Sequence, residues 1–267
     1  MSSDRMPERY RDDPATPVPA DIPTGTLFAA LYADSPVEVG PVPEGQQDHF
    51  SLFVAYSAAM GWLSDDDHRG LWSMNDAGGP RSGGDKRLCA WFQVGISQVP
   101  ASRPLPVQPF LQCTGTVNAR LGGPPAAEVL LLLPVQCLGT RSRHAVPAMR
   151  TVGWFEAVPP EARVSAEVQV SIGRAGSREA LNAAVADFLH LDQPVLTSPT
   201  TAAPSAAPTP PFDDTFWDGP ATTTSALHGT LVSWEPVTLG WVAQALAECA
   251  AANDLGGSLL VTFLRRQ

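Results

Sequence analysis

The densest polar cluster in the sequence is Asp65-Asp66-Asp67-His68-Arg69-Gly70. Asp65, Asp67 and Asp76 fall at the first, third and twelfth positions of a calcium-binding loop, where their carboxylate oxygens would be ligands. The match fails at the fifth position, because Arg69 places a cation where a ligand oxygen is needed, and at the twelfth, which usually holds Glu. We interpret the segment as a solvated acidic loop and keep Asp65, Asp67 and Asp76 as a weak metal candidate.

A glycine-rich segment at residues 79–84 has the outer spacing of a phosphate-binding loop. Asp85 stands where such a loop carries its lysine, and an aspartate there would repel the phosphate. The sequence therefore predicts no nucleotide site in this segment. We also predict no cofactor for the rest of the chain. Residues 64–85 as a whole are predicted to form a long surface loop.

A more suitable geometry for an anion is predicted at Gly173, Arg174, Gly176 and Ser177, which join a predicted strand to a predicted helix. Backbone N–H groups and the helix dipole would point at one place in such a corner. Glycines are also required at strand-helix turns for backbone geometry alone. The four residues are thus a weak anion-site candidate.

No pattern typical of nucleophilic or metal catalysis occurs in the sequence, and we predict no catalytic residue. There is no G-x-S-x-G elbow and no H-E-x-x-H motif, and the five histidines are scattered. The four cysteines include no C-x-x-C pair, so we expect buried, reduced thiols. Cys113 and Cys137 occur in similar Gln-Cys-x-Gly-Thr segments, and the sequence leaves open whether they share a role.

An aromatic segment with Phe212, Phe216 and Trp217 is the candidate contact for a protein partner. It stands among aspartates just after residues 198–211, a run of Ser, Pro, Thr and Ala that predicts a mobile spacer. Aromatic residues in this setting suit ordering on a partner, but docking on the body of the same chain is the favoured alternative.

The composition limits the class of partner and the compartment. The chain has 267 residues, a net charge of −10 and a single lysine, Lys86, which argues against a nucleic-acid partner. The first 22 residues lack the apolar region of a signal peptide. The longest apolar run, residues 129–135, is far shorter than the roughly 20 residues that span a bilayer. These features predict a cytoplasmic protein without membrane insertion.

Apolar patterning predicts most of the secondary structure. Strands are predicted at residues 27–32, 49–56, 88–96, 108–118, 128–136, 151–157 and 164–172. The segment at 49–56 could instead be helical and continue toward Met60. Continuous apolar residues at 129–133 predict a strand that is covered on both faces, whereas the alternation at 164–172 predicts one face in water. Ser177 can cap a helix with an apolar stripe at Leu181, Ala184, Val185, Phe188 and Leu189, followed by a short strand at 194–197. The C-terminal segment predicts a strand, a helix and a strand at 228–234, 239–253 and 258–264.

These elements predict an α+β protein with a mainly antiparallel sheet and two strand-helix-strand units, arranged as a ferredoxin-like sandwich. Two separate domains are the alternative. The expected organisation is a disordered tail at 1–25, a main domain at 26–197, a spacer with the aromatic segment at 198–224, and a C-terminal unit at 225–267 that docks on the main sheet.

For function we expect a cytoplasmic, non-enzymatic protein that binds other proteins in an assembly or accessory role. The expectation rests on the missing chemistry and on the exposed tail and spacer. The alternative is an enzyme or small-ligand binder that uses the loop at 65–85 or the corner at 173–177.

Overall fold

The computed structural model describes residues 24–37, 47–64, 70–80, 85–97, 99–100, 103–139, 158–191 and 196–266. Over these ranges the chain has an α+β fold, in which eight strands form one sheet and four α-helices pack against it. Every pair of neighbouring strands is antiparallel. No helix within these ranges is long and apolar enough to cross a membrane.

The elements fall into two sets of six along the chain. The first set is β1 Gly25–Tyr32, α1 His49–Ala59, β2 Ser73–Gly78, β3 Leu88–Ile96, α2 Val107–Arg120 and β4 Glu128–Leu133. The second set is β5 Val164–Ile172, α3 Arg178–Leu189, β6 Leu196–Ala202, β7 Thr223–Leu231, α4 Pro236–Ala252 and β8 Leu259–Arg265. Both sets therefore run strand, helix, strand, strand, helix, strand.

The sheet has the order β2-β3-β1-β4-β8-β5-β7-β6. Read outward from the centre, the first half is β4-β1-β3-β2 and the second half is β8-β5-β7-β6, so each strand of one half has a counterpart in the other. The halves join where β4 pairs with β8, with Leu131 opposite Val261. The two halves thus have the same topology and share one continuous sheet.

The four helices lie on one face of the sheet, where they and the strands share the main hydrophobic core. Helix α2 packs against α4, while α1 contacts α2 and α3 contacts α4. In the first half an aromatic group centres on Phe53, whose ring centroid lies 5.1 Å from that of Phe92 and 5.9 Å from that of Phe110. These aromatic contacts hold α1 and α2 to β3.

The opposite face of the sheet is crossed by a segment that we call the strap, residues 203–222. It leaves the end of β6, and its Thr209 carbonyl accepts a hydrogen bond of 2.9 Å from the Tyr32 hydroxyl on β1. It returns to the end of β5, where Thr222 N–H donates to the Ile172 carbonyl at 2.9 Å. The strap therefore covers strands of both halves.

The strap accounts for two differences from the sequence-based expectations. Of the predicted spacer at 198–211, the first part belongs to β6 and the remainder lies on the sheet. The predicted water-facing side of β5 is wrong, because Glu167, Gln169 and Ser171 are buried. The alternation in β5 is real, but its polar face lies under the strap.

Two segments that were predicted as strands are helices. Residues 49–56 lie in α1, which begins after Asp48, whose carboxylate accepts a hydrogen bond of 2.7 Å from Ser51 N–H as an N-cap. Residues 108–118 lie in α2, where buried positions recur at helical spacing at Val107, Phe110, Leu111, Thr114, Val117 and Asn118. The helical alternative for 49–56 is confirmed. The strand predicted at 108–118 is wrong because its apolar run was interpreted without the period of 3.6 residues.

Other predicted elements are confirmed, including the strands at 27–32, 88–96 and 164–172, the helix after Ser177, and the strand, helix and strand of the C-terminal segment. The run at 129–133 is buried throughout, as predicted. The loop predicted at 64–85 contains the edge strand β2. The strand predicted at 151–157 and residues 1–23 of the predicted tail lie outside the described ranges.

The burial of the α3 stripe predicts a large difference between two substitutions in the same helix. Phe188 is 1% exposed in the main core, so Phe188→Ala should lower the free energy of unfolding by about 3–5 kcal/mol. Arg178 is exposed at the start of the helix, and Arg178→Ala should change it by less than about 0.5 kcal/mol. Urea unfolding measures both, and equal effects would contradict the assigned packing face.

Candidate functional site

A cavity of about 590 Å³ opens on the helical side of the sheet, where the two halves meet. We call it the α2–α4 cavity. Its walls are the C-terminal part of α2 at residues 111–119, the turn at 123–126, and the start of α4 with the preceding turn at 234–239. Leu31 of β1 and Val129 of β4 also line it. Each half of the chain therefore contributes part of the wall.

The local sequence determines where α4 begins beside the cavity. Pro236 lies in the first turn of α4, where a helix does not need the missing N–H. The preceding turn is held by a hydrogen bond of 2.7 Å between the Ser233 and Thr238 hydroxyls. Trp234 Nε1 donates to the Ala126 carbonyl at 2.7 Å, so the start of α4 is tied to the turn before β4. These contacts set the distance between the two walls.

The helices themselves approach closely next to the cavity. A Cβ atom at Gly240 would lie 2.9 Å from the Gln108 Cα, which is closer than real Cβ contacts. Next to this close approach, the Gln108 side-chain amide donates to the Gln244 side-chain carbonyl at 3.5 Å. A larger residue at position 240 would push α2 and α4 apart and change the shape of the cavity.

The wall of the cavity is mostly apolar. Glu235 is the only ionisable side chain that the structure places on it, and the other lining residues are mostly apolar. Asn118 is 5% exposed and donates from Nδ2 to the Pro124 carbonyl at 2.9 Å. Its Oδ1 accepts no hydrogen bond from the described residues. A mostly apolar pocket of this size is typical of a ligand site.

One side of the cavity reaches the surface at Val237. Three large hydrophobic side chains are exposed in the described part of the chain, namely Phe50 at 40%, Met60 at 47% and Val237 at 37%. Of these three, Val237 lines the cavity. It gives an approaching molecule an apolar surface to contact before it reaches the interior.

Of the three acidic candidates for a metal site, the described ranges contain Asp76. Asp65 and Asp67 lie outside the described residues, and the candidate remains a prediction. Asp76 lies in β2, and its carboxylate accepts a hydrogen bond of 2.8 Å from the Ala77 N–H. Within the described ranges no group of three or more His, Cys, Asp or Glu side chains is placed to hold a metal ion.

The predicted anion corner at residues 173–177 forms between β5 and α3, and it holds a carboxylate of the same chain. Ser177 caps α3 through its hydroxyl oxygen. The Ala175 N–H donates to Asp218 Oδ2 at 2.5 Å, and the Arg174 N–H donates to the Asp218 carbonyl at 2.8 Å. Asp218 belongs to the strap, so the corner contributes to holding the strap in place.

The aromatic segment proposed as a partner contact packs inside the molecule. The Phe212 and Phe28 ring centroids lie 4.9 Å apart at an interplanar angle of 86°. Trp217 is 5% exposed, and Phe216 is partly buried against the same cluster. A role for these side chains in contacting a partner stays a prediction.

Cys113 and Cys137 occupy different places and are unsuited to nucleophilic chemistry. The Cys113 thiol lies 3.6 Å from the Ser57 hydroxyl, and the Cys137 thiol donates to the Ile96 carbonyl at 3.7 Å. Burial raises the pKa of Cys113 to about 12 and that of Cys137 to about 11. Both are therefore protonated at neutral pH, whereas a nucleophilic cysteine has to be a thiolate.

Glu167 of β5 is a fully buried carboxylate beneath the strap. Its Oε1 accepts hydrogen bonds from Ser205 N–H at 2.8 Å and from Gln169 Nε2 at 2.7 Å, and its Oε2 accepts from the Ser205 hydroxyl at 2.6 Å and from Arg266. His228 Nε2 lies 3.9 Å from Oε2. Because a buried charge is tolerated only when it is paired and hydrogen-bonded, we interpret this cluster as an anchor for the strap.

The environment of Glu167 predicts how stability depends on pH. Burial alone raises the pKa of this carboxyl, but hydrogen bonds from Ser205, Arg266 and Gln169 outweigh it and lower the pKa from 4.5 to about 2. A lowered pKa stabilises the folded chain above the unfolded-state pKa, and that stabilisation is lost as the pH falls towards about 2. It amounts to roughly 3 kcal/mol at neutral pH.

Comparison with known proteins gives no assignment for this site, because no family model, no curated protein and no solved structure matches the chain.

Sequence analysis missed the cavity because it placed residues 108–118 in a strand. The available signal was the helical spacing of Phe110, Leu111, Thr114 and Val117, which puts Asn118 on the buried face of α2.

Replacing the buried carboxylate tests the anchor. Between pH 6 and pH 2, the free energy of unfolding should fall by about 2–3 kcal/mol more in the wild type than in Glu167→Gln, because the amide does not titrate. Urea unfolding at several pH values measures the difference. The exposed Glu161→Gln serves as the control and should keep the wild-type pH dependence. Parallel curves for the wild type and Glu167→Gln would contradict a charged anchor.

Proposed function

We propose that this chain is a cytoplasmic, non-enzymatic protein that binds other proteins in an assembly or accessory role, and that a segment of its partner binds in the α2–α4 cavity. The observation that carries the proposal is the cavity itself, which has a volume of about 590 Å³ and a mostly apolar wall. Ligand pockets commonly have volumes of roughly 300–1,000 Å³. The exposed Val237 at its edge extends the apolar surface that a peptide segment would cover.

The chemistry of the described residues favours binding over catalysis. The cavity wall carries no thiol, imidazole or amine, and Glu235 alone could transfer a proton there. The alternative, an enzyme or small-ligand binder at the 65–85 loop or the 173–177 corner, has less support. Asp218 already occupies the N–H groups of the corner, and Asp85 pairs with Arg87 at 3.1 Å.

We further propose that each half is a ferredoxin-like module. The support is the order of elements, strand-helix-strand-strand-helix-strand, together with a sheet in which the first strand lies between the third and the fourth. Two such modules joined through their fourth strands bring their second helices, α2 and α4, side by side. The cavity then lies at the junction of two equivalent elements, one from each module.

A charge placed at the edge of the cavity tests the proposed binding site. Peptides selected from a phage-displayed random library against the full chain should bind Val237→Glu at least tenfold more weakly than the wild type, which is about 1.4 kcal/mol. The reason is that a bound apolar segment would bury the new carboxylate without a partner. Fluorescence anisotropy with labelled peptides measures the affinities.

Phe50→Glu provides the matched control, because Phe50 has a similar exposure and does not line the cavity. It should bind the selected peptides with wild-type affinity. Both variants should keep the wild-type melting temperature within a few degrees, because both positions are exposed. Peptides that bind all three proteins equally would contradict the cavity as the partner site.

A further inference from the structure

Glu235, at the rim of the α2–α4 cavity, is a carboxylate that has no ion pair with any described residue. It is exposed, and it is the only ionisable side chain that the structure places on the cavity wall. The basic residue of α2, Arg120, lies elsewhere, with its guanidinium carbon 5.9 Å from the centroid of the Tyr56 ring of α1. The charge of Glu235 is therefore available to a bound molecule.

Glu235 makes no hydrogen bond that caps the helix after it. It is the N-cap residue of α4, but its side chain forms no cap hydrogen bond. In contrast, Asp48 caps α1 and Ser177 caps α3 through side-chain oxygens. The positive end of the α4 dipole favours the ionised form of a carboxyl group at this position. The rim of the cavity thus carries a negative charge that the described chain leaves unpaired.

Binding of an apolar segment at the cavity would remove water from this charge. Glu235 and Val237 are two residues apart at the same rim, so a segment that covers Val237 also covers part of the surroundings of the carboxylate. A carboxylate that loses water without gaining a partner is destabilised, whereas a cation brought by the segment offsets that loss. The site therefore disfavours acidic and neutral segments and favours basic ones.

We propose that the partner segment carries an arginine or lysine beside its apolar residue, and that this cation pairs with the Glu235 carboxylate while the apolar side chain enters the cavity. This inference rests on the proposed function, since it names the charge of the partner. The apolar contacts come from wall residues such as Leu31, Leu111 and Val129. The net charge of −10 also attracts a basic segment before contact and raises its association rate.

The test compares peptides that differ in one charge. In peptides selected from the random library against the full chain, each arginine in turn is replaced by the neutral citrulline, and each lysine by acetyl-lysine. At the contacting position we expect the neutral side chain to weaken binding to the wild type about fivefold, and binding to Glu235→Gln by less than about twofold. The difference should disappear at about 1 M salt, where the screening length is about 3 Å. Fluorescence anisotropy measures the affinities.

Glu179→Gln is the matched control, because Glu179 is an exposed glutamate in the first turn of α3 and does not line the cavity. It should respond to the neutral peptides as the wild type does. Glu235→Arg should reverse the preference and bind a peptide with glutamate at the contacting position more tightly than the parent peptide.

Selected peptides without a basic residue, or charged and neutral forms that bind the wild type equally, would overturn the basic partner. If those peptides still lose affinity in Val237→Glu, the cavity remains supported as the partner site, so the two proposals can fail separately.

Discussion

The pairing of β4 with β8 is the interaction on which the rest of the molecule depends. Six residue pairs, from Glu128 and Leu264 to Leu133 and Leu259, join two four-stranded halves into one sheet. Both strands gain neighbours on each side, and this explains the unbroken apolar run at 129–133, which is buried on both faces. The same pairing brings α2 and α4 together, and the cavity lies at their junction.

The two faces of this sheet are covered by different means. The helices cover one face with ordinary apolar packing, and the strap covers the other with few residues in regular structure. A strap of this kind needs specific anchors, which are the Glu167 cluster over β5, the Tyr32 hydrogen bond at β1 and the Asp218 carboxylate at the start of α3. Polar side chains on an inner strand thus stabilise a connection between elements that are distant in sequence.

The sequence was sufficient to predict elements whose burial follows from their own apolar pattern. It was insufficient where a segment distant in sequence determines which side chains are buried. The stripe of α3 and the run at 129–133 specify their own burial, and both predictions hold. The face of β5 that carries Glu167 has the alternation of a half-exposed strand, and nothing near it in sequence indicates that residues 203–222 cover it. The cavity could not be predicted either, because its walls come from segments more than 100 residues apart.

The central claim is that a partner binds where the two halves meet, and hydrogen–deuterium exchange on the full chain tests it most directly. Adding a peptide selected against the full chain should slow exchange in two segments, residues 111–126 of the first half and residues 234–239 of the second, which form the walls of the α2–α4 cavity. Slower exchange at the edge strands β2 and β6 or along the strap, with those two segments unchanged, would contradict the account.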